Sequence, residues 1–491
     1  MQRPLFTAQT EWVQPEEFPE LSKYDEISID LETKDPNLNI NRGSGAVVGV
    51  GEIAGIAVAV KNWCGYYPIA HEGGGNMDRK RVLKWFKDVL KTPAKKIFHN
   101  AVYDVCWIKR LGLTVHGTIV DTMIMASLVN ENKFRYDLNS VAKEYTGIGK
   151  NEAALQSAAR EWGIDPKAEM YKLPSMFVGE YAERDAEITL AVWQELKKEI
   201  ASQNLHSIVE LETDVLPCII EMKWKGVRIN EDQVAIIEKK YKKTYDECLK
   251  SVEKKTGIFP EVWAARSIAK VCEKLGVKDM TRTEKTNAPS FTKNILKEHK
   301  NPVVNWISSA RTVNKIRTTF IETIKKHVYK DKIHADINQL RSDTGGTITG
   351  RFSYSNPNLQ QIPNYTDAGL GIRSIFSPNS EYEKWCSFDY SQQEPRLVVH
   401  YAAELEIPGS YNFVKGYKEG VPNEKTGKKE PADFHNMVSE LTNIPRSQAK
   451  TINLALFYGM GKARLANSLN LSPDATSLIL TKYNQMVPFV K

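Results

Sequence analysis

Apolar and polar residues alternate in the first part of the chain in a way that predicts a small β-sheet. Residues 27–33 read Ile-Ser-Ile-Asp-Leu-Glu-Thr, which alternates as a strand does. A second β-rich run at residues 53–60 is a candidate hairpin partner, and residues 96–100 predict a short buried strand. Because successive side chains on a strand point to opposite faces, Asp30 and Glu32 are expected on one face of the first strand.

Helical periodicity dominates the remainder. Helices are predicted at residues 79–90, from residue 181 onward, at 234–255, at 312–329 and at 446–458. In the last of these, residues four positions apart drift by only about 40° per step, so they share one broad face. On that face lie Arg446, Lys450, Leu454 and Tyr458. Two cations one turn apart can bind a polyphosphate, and the apolar surface beyond them can receive a base. A surface helix with solvated cations is the competing interpretation.

Composition narrows the class of protein. The 491 residues suffice for about three domains, and the net charge of +7 permits a polyanionic partner without requiring one. The six cysteines are scattered and form no C-x-x-C pair, which is typical of reduced thiols in the cytoplasm. No signal pattern and no apolar run long enough to span a membrane occur, so we expect a cytoplasmic protein with no membrane partner.

Four acids from three distant segments are candidates for one metal site. They are Asp30, Glu32, Asp104 and Asp185. Carboxylates are the ligands that Mg²⁺ prefers, and two such ions can support phosphodiester hydrolysis. Tyr181 lies one helical turn before Asp185 and is a candidate for orienting the attacking water. Any one of these acids alone is more typical of a helix cap or a solvated charge.

The spacing of these residues resembles a known exonuclease family. Asp30-x-Glu32-Thr, Asn100-x-x-x-Asp104 and Tyr181-x-x-x-Asp185 together resemble the three motifs of DnaQ-like 3′–5′ proofreading exonucleases. Their order fits the version fused to family A DNA polymerases, also known as DNA polymerase I-like. The resemblance implies an RNase H-like mixed sheet flanked by helices, a two-metal site formed by the four acids, and a role for Asn100 at the DNA.

A long stretch in the C-terminal third resembles the polymerase part of the same family. Residues 347–363 (Thr-Ile-Thr-Gly-Arg through Asn-Pro-Asn-Leu-Gln-Gln-Ile-Pro) closely match its signature. By that resemblance Arg351 lies against the minor groove of the primer–template, where readout is largely of shape, and Asn358 and Gln360 also contact DNA. Arg373 is expected near the incoming nucleotide or the primer end.

Residues 385–396 resemble polymerase motif A, Asp-Tyr-Ser-Gln-x-Glu-x-Arg. A buried strand is expected to lead to Asp389, which by the resemblance ligates both catalytic metals. Glu394 is implied to exclude a ribose 2′-hydroxyl and so to favour DNA precursors. His435, in Asp-Phe-His, is implied to contact the triphosphate.

The helix at 446–458 then resembles motif B, the fingers helix. Arg446 and Lys450 are implied to hold the β- and γ-phosphates, and Tyr458 to stack near the templating base. Leu454 departs from the aromatic residue usual at its position, which predicts altered discrimination at the 3′ position of the sugar.

The resemblance predicts an α/β and α+β multidomain chain, with an exonuclease domain followed by a partial right-hand polymerase. The expected domains are 1–205 (exonuclease), 206–340 (linker and thumb-like helices), 341–403 (N-terminal part of the palm) and 404–491 (fingers). The family's last palm motif, His-Asp-Glu, does not occur in the sequence. We therefore expect a phage-type DNA polymerase whose synthesis needs a missing palm segment, either lost by truncation or supplied by a second polypeptide.

The expected partners are a DNA primer–template and dNTPs, with Mg²⁺, or Mn²⁺ in its place, at two-metal sites in both the exonuclease and the polymerase. A stand-alone 3′–5′ exonuclease with a DNA-binding polymerase remnant is the alternative. A non-catalytic DNA-binding fragment is a third interpretation, and the four acids argue against it.

Overall fold

The computed structural model describes residues 9–40, 42–277, 282, 289–291, 296, 299–343, 345–363, 371–422, 429–430, 432–469 and 471–490. The chain divides into two compact units, Met1–Trp385 and Cys386–Lys491. Each unit has its own apolar core. This division is coarser than the four expected domains, whose boundaries therefore stay predictions. No described helix is long and apolar enough to cross a membrane.

The N-terminal part of the larger unit is built on a five-stranded sheet of order β3-β2-β1-β4-β5. Its strands are β1 (Glu26–Lys34), β2 (Glu52–Val60), β3 (Trp63–Pro68), β4 (Lys95–Phe98) and β5 (Ile119–Asp121). β2 pairs antiparallel with both β1 and β3, whereas β4 pairs parallel with β1 and β5. The predicted mixed sheet and the hairpin partner of the first strand are confirmed.

Helices flank this sheet. They are α1 (Gly45–Val48), α2 (Arg79–Lys91), α3 (Ala101–Arg110), α4 (Thr122–Val129), α5 (Leu138–Thr146), α6 (Ala153–Trp162) and α7 (Gly179–Ser202). The long helix α7 packs across β1, β2 and β3. Glu26, at the start of β1, accepts hydrogen bonds from Trp193, Gln194 and Lys197 of α7 at 2.8–2.9 Å. These contacts hold α7 against the strand that carries two of the candidate acids.

Helical cover buries two polar side chains of β1 as well as its apolar ones. Ile27 and Ile29 are fully buried, as expected for the apolar positions of an alternating strand. Ser28 is also fully buried, and Glu32 is only 6% exposed. A strand whose faces are both covered lacks a solvated side. The face of β1 that carries the carboxylates is therefore largely covered, with Glu32 buried and Asp30 half-buried.

The second part of the larger unit is mainly helical. Its elements are α8 (His206–Lys225), β6 (Val227–Ile229), α9 (Glu231–Thr256), α10 (Ala265–Lys274), α11 (Pro302–Ile316), α12 (Glu322–His327), β7 (Lys332–Ile333), β8 (Asp336–Asn338), β9 (Ser353–Ser355) and β10 (Phe376–Ser377). They form a three-stranded sheet of order β10-β6-β7 and a hairpin of β8 and β9. The predicted helix at 234–255 is confirmed as α9, which Asn230 caps by accepting a hydrogen bond from the Gln233 amide at 2.9 Å.

The helix predicted at residues 312–329 has different bounds. The segment starts earlier, as α11, where Asn301 accepts a hydrogen bond from the Val303 amide ahead of a proline in the first turn. A π-helical segment, Arg317–Ile321, then separates α11 from α12. The Asn-Pro start is a recognisable helix signal, whereas a π-helical turn has no comparable signature in the sequence.

The smaller unit is helical around its core. Its elements are α13 (Gln393–Glu404), α14 (Ser410–Glu419), β11 (Val421–Pro422), β12 (Lys429–Glu430), α15 (Phe434–Thr442), α16 (Arg446–Phe457), α17 (Lys462–Leu469) and α18 (Pro473–Met486). The predicted helix at 446–458 is confirmed as α16. Gly459 follows it with a φ of +67°, the left-handed conformation that commonly ends a helix.

The buried strand predicted before Asp389 was wrong. Residues 384–390 form no regular element, and Trp385, Phe388 and Tyr390 are exposed. A buried strand depends on hydrogen bonds to neighbouring strands and on cover over its faces. None of the described strands pairs with this stretch, so its apolar composition alone does not make it a strand.

Candidate functional site

The first candidate site forms where β1 extends past its neighbour. β1 pairs with β4 only as far as Ser28, so Asp30 and Glu32 lie beyond that pairing. After β4 the chain turns through Asn100, whose φ of +68° is left-handed, and enters α3. Asp104 lies in the first turn of α3, and its Oδ1 accepts a hydrogen bond from the Leu31 amide at 3.2 Å. This bond joins the second predicted motif directly to the first.

α7 brings the third motif to the same place. Asp185 is 2% exposed, and Tyr181 precedes it by one turn on the same face. Lys150, from the loop between α5 and α6, forms an ion pair with Asp185 and donates a hydrogen bond to the Tyr181 hydroxyl at 3.3 Å. Asp185 Oδ1 is buried and has no hydrogen-bond partner.

Burial and mutual repulsion raise the pKa values of these acids. Burial, reinforced by the charge of Asp185, raises the pKa of Asp30 to about 7. Burial and the charge of Asp30 raise the pKa of Glu32 well above its usual value, and the same two causes raise that of Asp104. Burial also raises the pKa of Asp185, against the opposing attraction of Lys150. The negative charges of these acids therefore interact with one another, as expected for the carboxylates of a single site.

Oxygen donors in a mutually repelling, buried cluster suit a hard divalent cation. The Lys150 ammonium already lies against Asp185, which shows that the cluster accommodates positive charge. In the part of the chain that the structure describes, no three His, Cys, Asp or Glu side chains are arranged as ready metal ligands. The carboxylate oxygens are donors of the kind that a hard divalent cation takes.

Asp121 and Asn100 lie beside the cluster, the first in a structural position and the second at the surface. Asp121 accepts hydrogen bonds from the Asn100, Ala101 and Met123 amides at 2.8–2.9 Å, and so caps α3 and α4. The Asn100 side chain is exposed and borders a cavity of about 270 Å³ that Arg341 also lines. Asn100 is therefore accessible to a DNA strand, as its predicted role requires.

Lys150 was missed by the sequence analysis. It belongs to none of the three motifs, and it lies 35 positions from its carboxylate partner. A lone lysine in a polar loop is ordinarily a solvated charge. The only local signal is the pair of glycines, Gly147 and Gly149, that precedes it.

Arg351, Asn358 and Gln360, the residues predicted to contact the primer–template, lie on a loop with several internal hydrogen bonds. Arg351 is exposed, and its carbonyl oxygen accepts a hydrogen bond from the Thr347 hydroxyl at 2.7 Å. Asn358 accepts a hydrogen bond from the Gln360 amide, and the Gln360 side chain donates to the Phe352 carbonyl, each at 3.1 Å. Asn358 and Gln360 thus shape the loop that presents Arg351.

Arg373 is exposed at the start of a short stretch that leads to β10. Its Nε donates a hydrogen bond to the Pro363 carbonyl at 3.2 Å. The rest of the guanidinium retains donors that a phosphate or a base can use.

In the smaller unit, Asp389 is exposed on the irregular stretch before α13. Glu394 lies in the first turn of α13, and its Oε1 accepts a hydrogen bond from the Tyr458 hydroxyl at 3.2 Å. The predicted sugar-excluding residue and the predicted base-stacking residue are therefore in direct contact.

Asp433 contacts two of the predicted phosphate-binding residues of the same unit, His435 and Arg446. Asp433 caps α15 by accepting hydrogen bonds from the His435 and Asn436 amides, and its other oxygen pairs with Arg446 at 2.5 Å. Lys450 lies one turn further along α16 and is exposed. Arg446 and Lys450 share a face, as predicted, and Arg446 is held by an acid that the sequence analysis did not identify.

His435 is buried, and its ring position is fixed by α16. Its Nδ1 lies 2.8 Å from Asn453 Nδ2, and Asn453 Oδ1 accepts a hydrogen bond from the Tyr483 hydroxyl at 2.6 Å. Burial lowers the pKa of His435. Leu454, next along α16, is half-buried.

Two family models together match most of the chain. Residues 10–201 match the model of a 3′–5′ exonuclease family, and residues 231–491 match that of DNA polymerase family A. The chain belongs to DNA polymerase family A. It is a phage-type DNA-directed DNA polymerase with a 3′–5′ exonuclease domain. Domains of these two families generally use divalent metal ions.

Relatives of this family A polymerase include bacteriophage and bacterial DNA polymerases. The DNA-directed DNA polymerase of Pseudomonas phage M6 is 34% identical over 490 residues, covering 96% of this chain and 73% of that protein. DNA polymerase DpoZ of Vibrio phage phiVC8 is 27% identical, covering 92% of this chain and 72% of the relative. The POL domain of Pol1 from M. smegmatis, solved in complex with DNA primer-template and dNTP, matches the fold with a TM-score of 0.71 at 18% identity, covering 96% of this chain and 74% of that one.

Proposed function

We propose that Asp30, Glu32, Asp104 and Asp185 form the exonuclease active site and hold Mg²⁺ or Mn²⁺ there. The hydrogen bond between the Leu31 amide and Asp104, which joins two motifs across 73 positions of sequence, is the observation that carries this proposal. When bound, the metal ions supply charge for water activation and for the leaving oxygen. Tyr181 orients the attacking water, and the exposed Asn100 contacts the DNA strand.

The proposed polymerase site includes residues of the motif A region and of the motif B helix, α16. Arg446 and Lys450 bind the β- and γ-phosphates, and His435 binds the triphosphate from α15. Glu394 excludes a 2′-hydroxyl while Tyr458, its hydrogen-bond partner, stacks near the templating base. The other proposed contacts are Asp389 to Mg²⁺, Arg373 and Leu454 to the nucleotide, and Arg351, Asn358 and Gln360 to the primer–template.

The four domains expected from the sequence are proposed with the same boundaries, 1–205, 206–340, 341–403 and 404–491. The phage origin of two of these relatives supports action in the cytoplasm of a bacterial host on a primer–template with dNTPs. A requirement for a second polypeptide that carries His-Asp-Glu stays a prediction, and the assay below tests it.

A second candidate function is degradation alone. The exposed, irregular stretch around Asp389 favours it, because a catalytic carboxylate needs a fixed position. On this interpretation the exonuclease is active and the polymerase region binds DNA without extending it.

A labelled primer–template distinguishes the two functions. The purified chain is incubated with Mg²⁺, with and without dNTPs, beside the Asp30→Ala/Glu32→Ala variant. Shortening by the parent but not by the variant supports the exonuclease site, and extension supports synthesis by this chain alone. Shortening without extension supports the need for a further polypeptide or the degradative alternative, and adding a polypeptide with His-Asp-Glu then separates those two. Shortening by the variant at the parental rate would refute the assignment of Asp30 and Glu32.

A further inference from the structure

Lys150 makes three contacts with the exonuclease site. Its ammonium pairs with Asp185, donates a hydrogen bond to the Tyr181 hydroxyl, and lies 5.1 Å from the centroid of the Tyr181 ring. The lysine also attracts the charges of Asp30 and Glu32. One cation therefore interacts with acids from both β1 and α7.

The loop that carries Lys150 is anchored on both sides of it. The Lys150 amide donates a hydrogen bond to Asn139 Oδ1 at 3.1 Å. The next side chain, Asn151, donates to Glu180 Oε1 at 2.6 Å, which ties the loop to the start of α7. The backbone is thereby held where the lysine side chain reaches the carboxylates.

Charge balance explains why a cation belongs there. Asp185 and Glu32 are almost fully buried, and buried carboxylates need compensating charge or protons. The Lys150 side chain retains 18% exposure, so its ammonium has a path to solvent along a flexible four-carbon stem. A bound divalent cation and this ammonium would compete for the same oxygen atoms.

We propose that Lys150 is a built-in counter-ion, which compensates the exonuclease carboxylates when no divalent cation is bound and is displaced from Asp185 when one binds. The inference rests on the proposed exonuclease site. By linkage, each cation lowers the affinity of the site for the other. Lys150 therefore stabilises the metal-free domain and weakens metal binding.

Lys133 provides a matched control within the same domain. It pairs with Glu144 at 2.8 Å, donates a hydrogen bond to the Tyr145 hydroxyl at 2.9 Å and lies 4.1 Å from that ring centroid. These are the three kinds of contact that Lys150 makes, without a cluster of candidate metal ligands. A purely structural lysine should behave like Lys133.

The test measures Mn²⁺ binding by electron paramagnetic resonance of the free ion. The site is isolated as the binding that the parent has and the Asp30→Ala/Glu32→Ala variant lacks. We expect Lys150→Met to bind Mn²⁺ at this site about tenfold more tightly than the parent, within the usual range of coupling between two ligands. Lys133→Met and the charge-retaining Lys150→Arg should match the parent.

Thermal melting in EDTA and in Mn²⁺ is the second measurement, and it does not need activity. In EDTA, Lys150→Met should melt about 2–4 °C below Lys133→Met, and Mn²⁺ should remove that gap. A Lys150→Met protein that folds only with Mn²⁺ present, while Lys133→Met folds in EDTA, supports the proposal as well. Unchanged or weaker Mn²⁺ binding in Lys150→Met would overturn it. If the parent binds no more Mn²⁺ than the double-alanine variant, the proposed exonuclease site itself fails.

Discussion

The two candidate sites of this polymerase differ in how much of their chemistry the folded chain already contains. The four candidate exonuclease acids are mostly buried, Asp104 accepts a hydrogen bond from the Leu31 amide, and Lys150 pairs with Asp185. The polymerase residues Asp389, Arg446 and Lys450 are exposed, and Arg446 is paired with Asp433. Because the acids of the first site are buried, their charges interact strongly with one another and with neighbouring groups of the folded chain. The exposed cations instead remain available to a polyanionic ligand, and dissolved salt weakens their electrostatic interactions.

The largest effect is expected when the two acids of β1 are replaced. Asp30→Ala/Glu32→Ala should lower the rate of primer shortening by about 10³-fold or more, because the metal-binding charge is lost. Its melting temperature in EDTA should not fall, since the two deleted carboxylates have raised pKa values from burial and from neighbouring acids. Rates come from gel analysis of a labelled primer, and melting from calorimetry.

Asp88→Ala serves as the control for that comparison, because Asp88 is exposed on α2, where it pairs with Lys91 at 3.9 Å. It should keep the parental rate. A double-alanine variant that still shortens primers within a few-fold of the parental rate would show that the buried cluster is not the active site.

The second effect concerns the exposed cations. Arg446→Ala should weaken the affinity of the enzyme–primer–template complex for the correct dNTP by about 10- to 100-fold, as expected when a charged hydrogen bond is lost. Asp433→Asn should act in the opposite direction, because Arg446 is then no longer paired. The measurement is the dNTP concentration that stabilises the ternary complex in a mobility-shift assay.

Lys415→Ala, an exposed cation of α14, controls for the general loss of positive charge. Primer shortening should be unchanged in all three variants, since the exonuclease acids belong to a different unit. Equal dNTP affinity in Arg446→Ala and Lys415→Ala would argue against the phosphate-binding role.

The third effect is a pH dependence of stability in the exonuclease domain. His71 is buried, with Nε2 at 2.6 Å from the Tyr66 hydroxyl and Nδ1 at 3.0 Å from the Leu173 carbonyl oxygen. Burial lowers its pKa to about 4, against about 6.5 in an unfolded chain. The folded state therefore favours neutral His71, and this contribution is fully present above pH 6.5 and lost as the pH falls towards 4.

Over that range the free energy of unfolding should fall by up to about 3 kcal/mol through His71. His71→Gln should remove this part of the pH dependence, and His206→Gln, at an exposed position of α8, should leave it unchanged. Urea unfolding of each variant between pH 4.5 and 7 checks this. Parallel pH profiles for parent and His71→Gln would contradict the expectation.

The smallest effect concerns sugar discrimination in the polymerase region. Leu454 is half-buried on α16, and a leucine gives a smaller and more flexible contact than an aromatic ring. Leu454→Tyr should change the ratio of ddNTP to dNTP affinity by about fivefold. Ternary-complex stabilisation with each nucleotide measures the ratio, and an unchanged ratio would remove Leu454 from the sugar-contacting residues.

Local pattern was enough to predict much of both regions. The alternation in β1 placed Asp30 and Glu32 on one face, and the four-residue spacing placed Arg446 and Lys450 on one face of α16. These predictions depend on the period of a strand or helix, which neighbouring residues determine. The resemblance to the family motifs predicted which distant segments share a site, because periodicity does not relate segments far apart in the sequence.

Tertiary structure decided three features that pattern could not. It buried Ser28 and Glu32 of β1 beneath helices, left residues 384–390 exposed and irregular, and brought Lys150 to Asp185. Each depends on partners distant in sequence: covering helices, neighbouring strands, or a loop anchored on α7. The sequence by itself determined which side chains share a face, and only packing determined which faces water reaches and which charges meet.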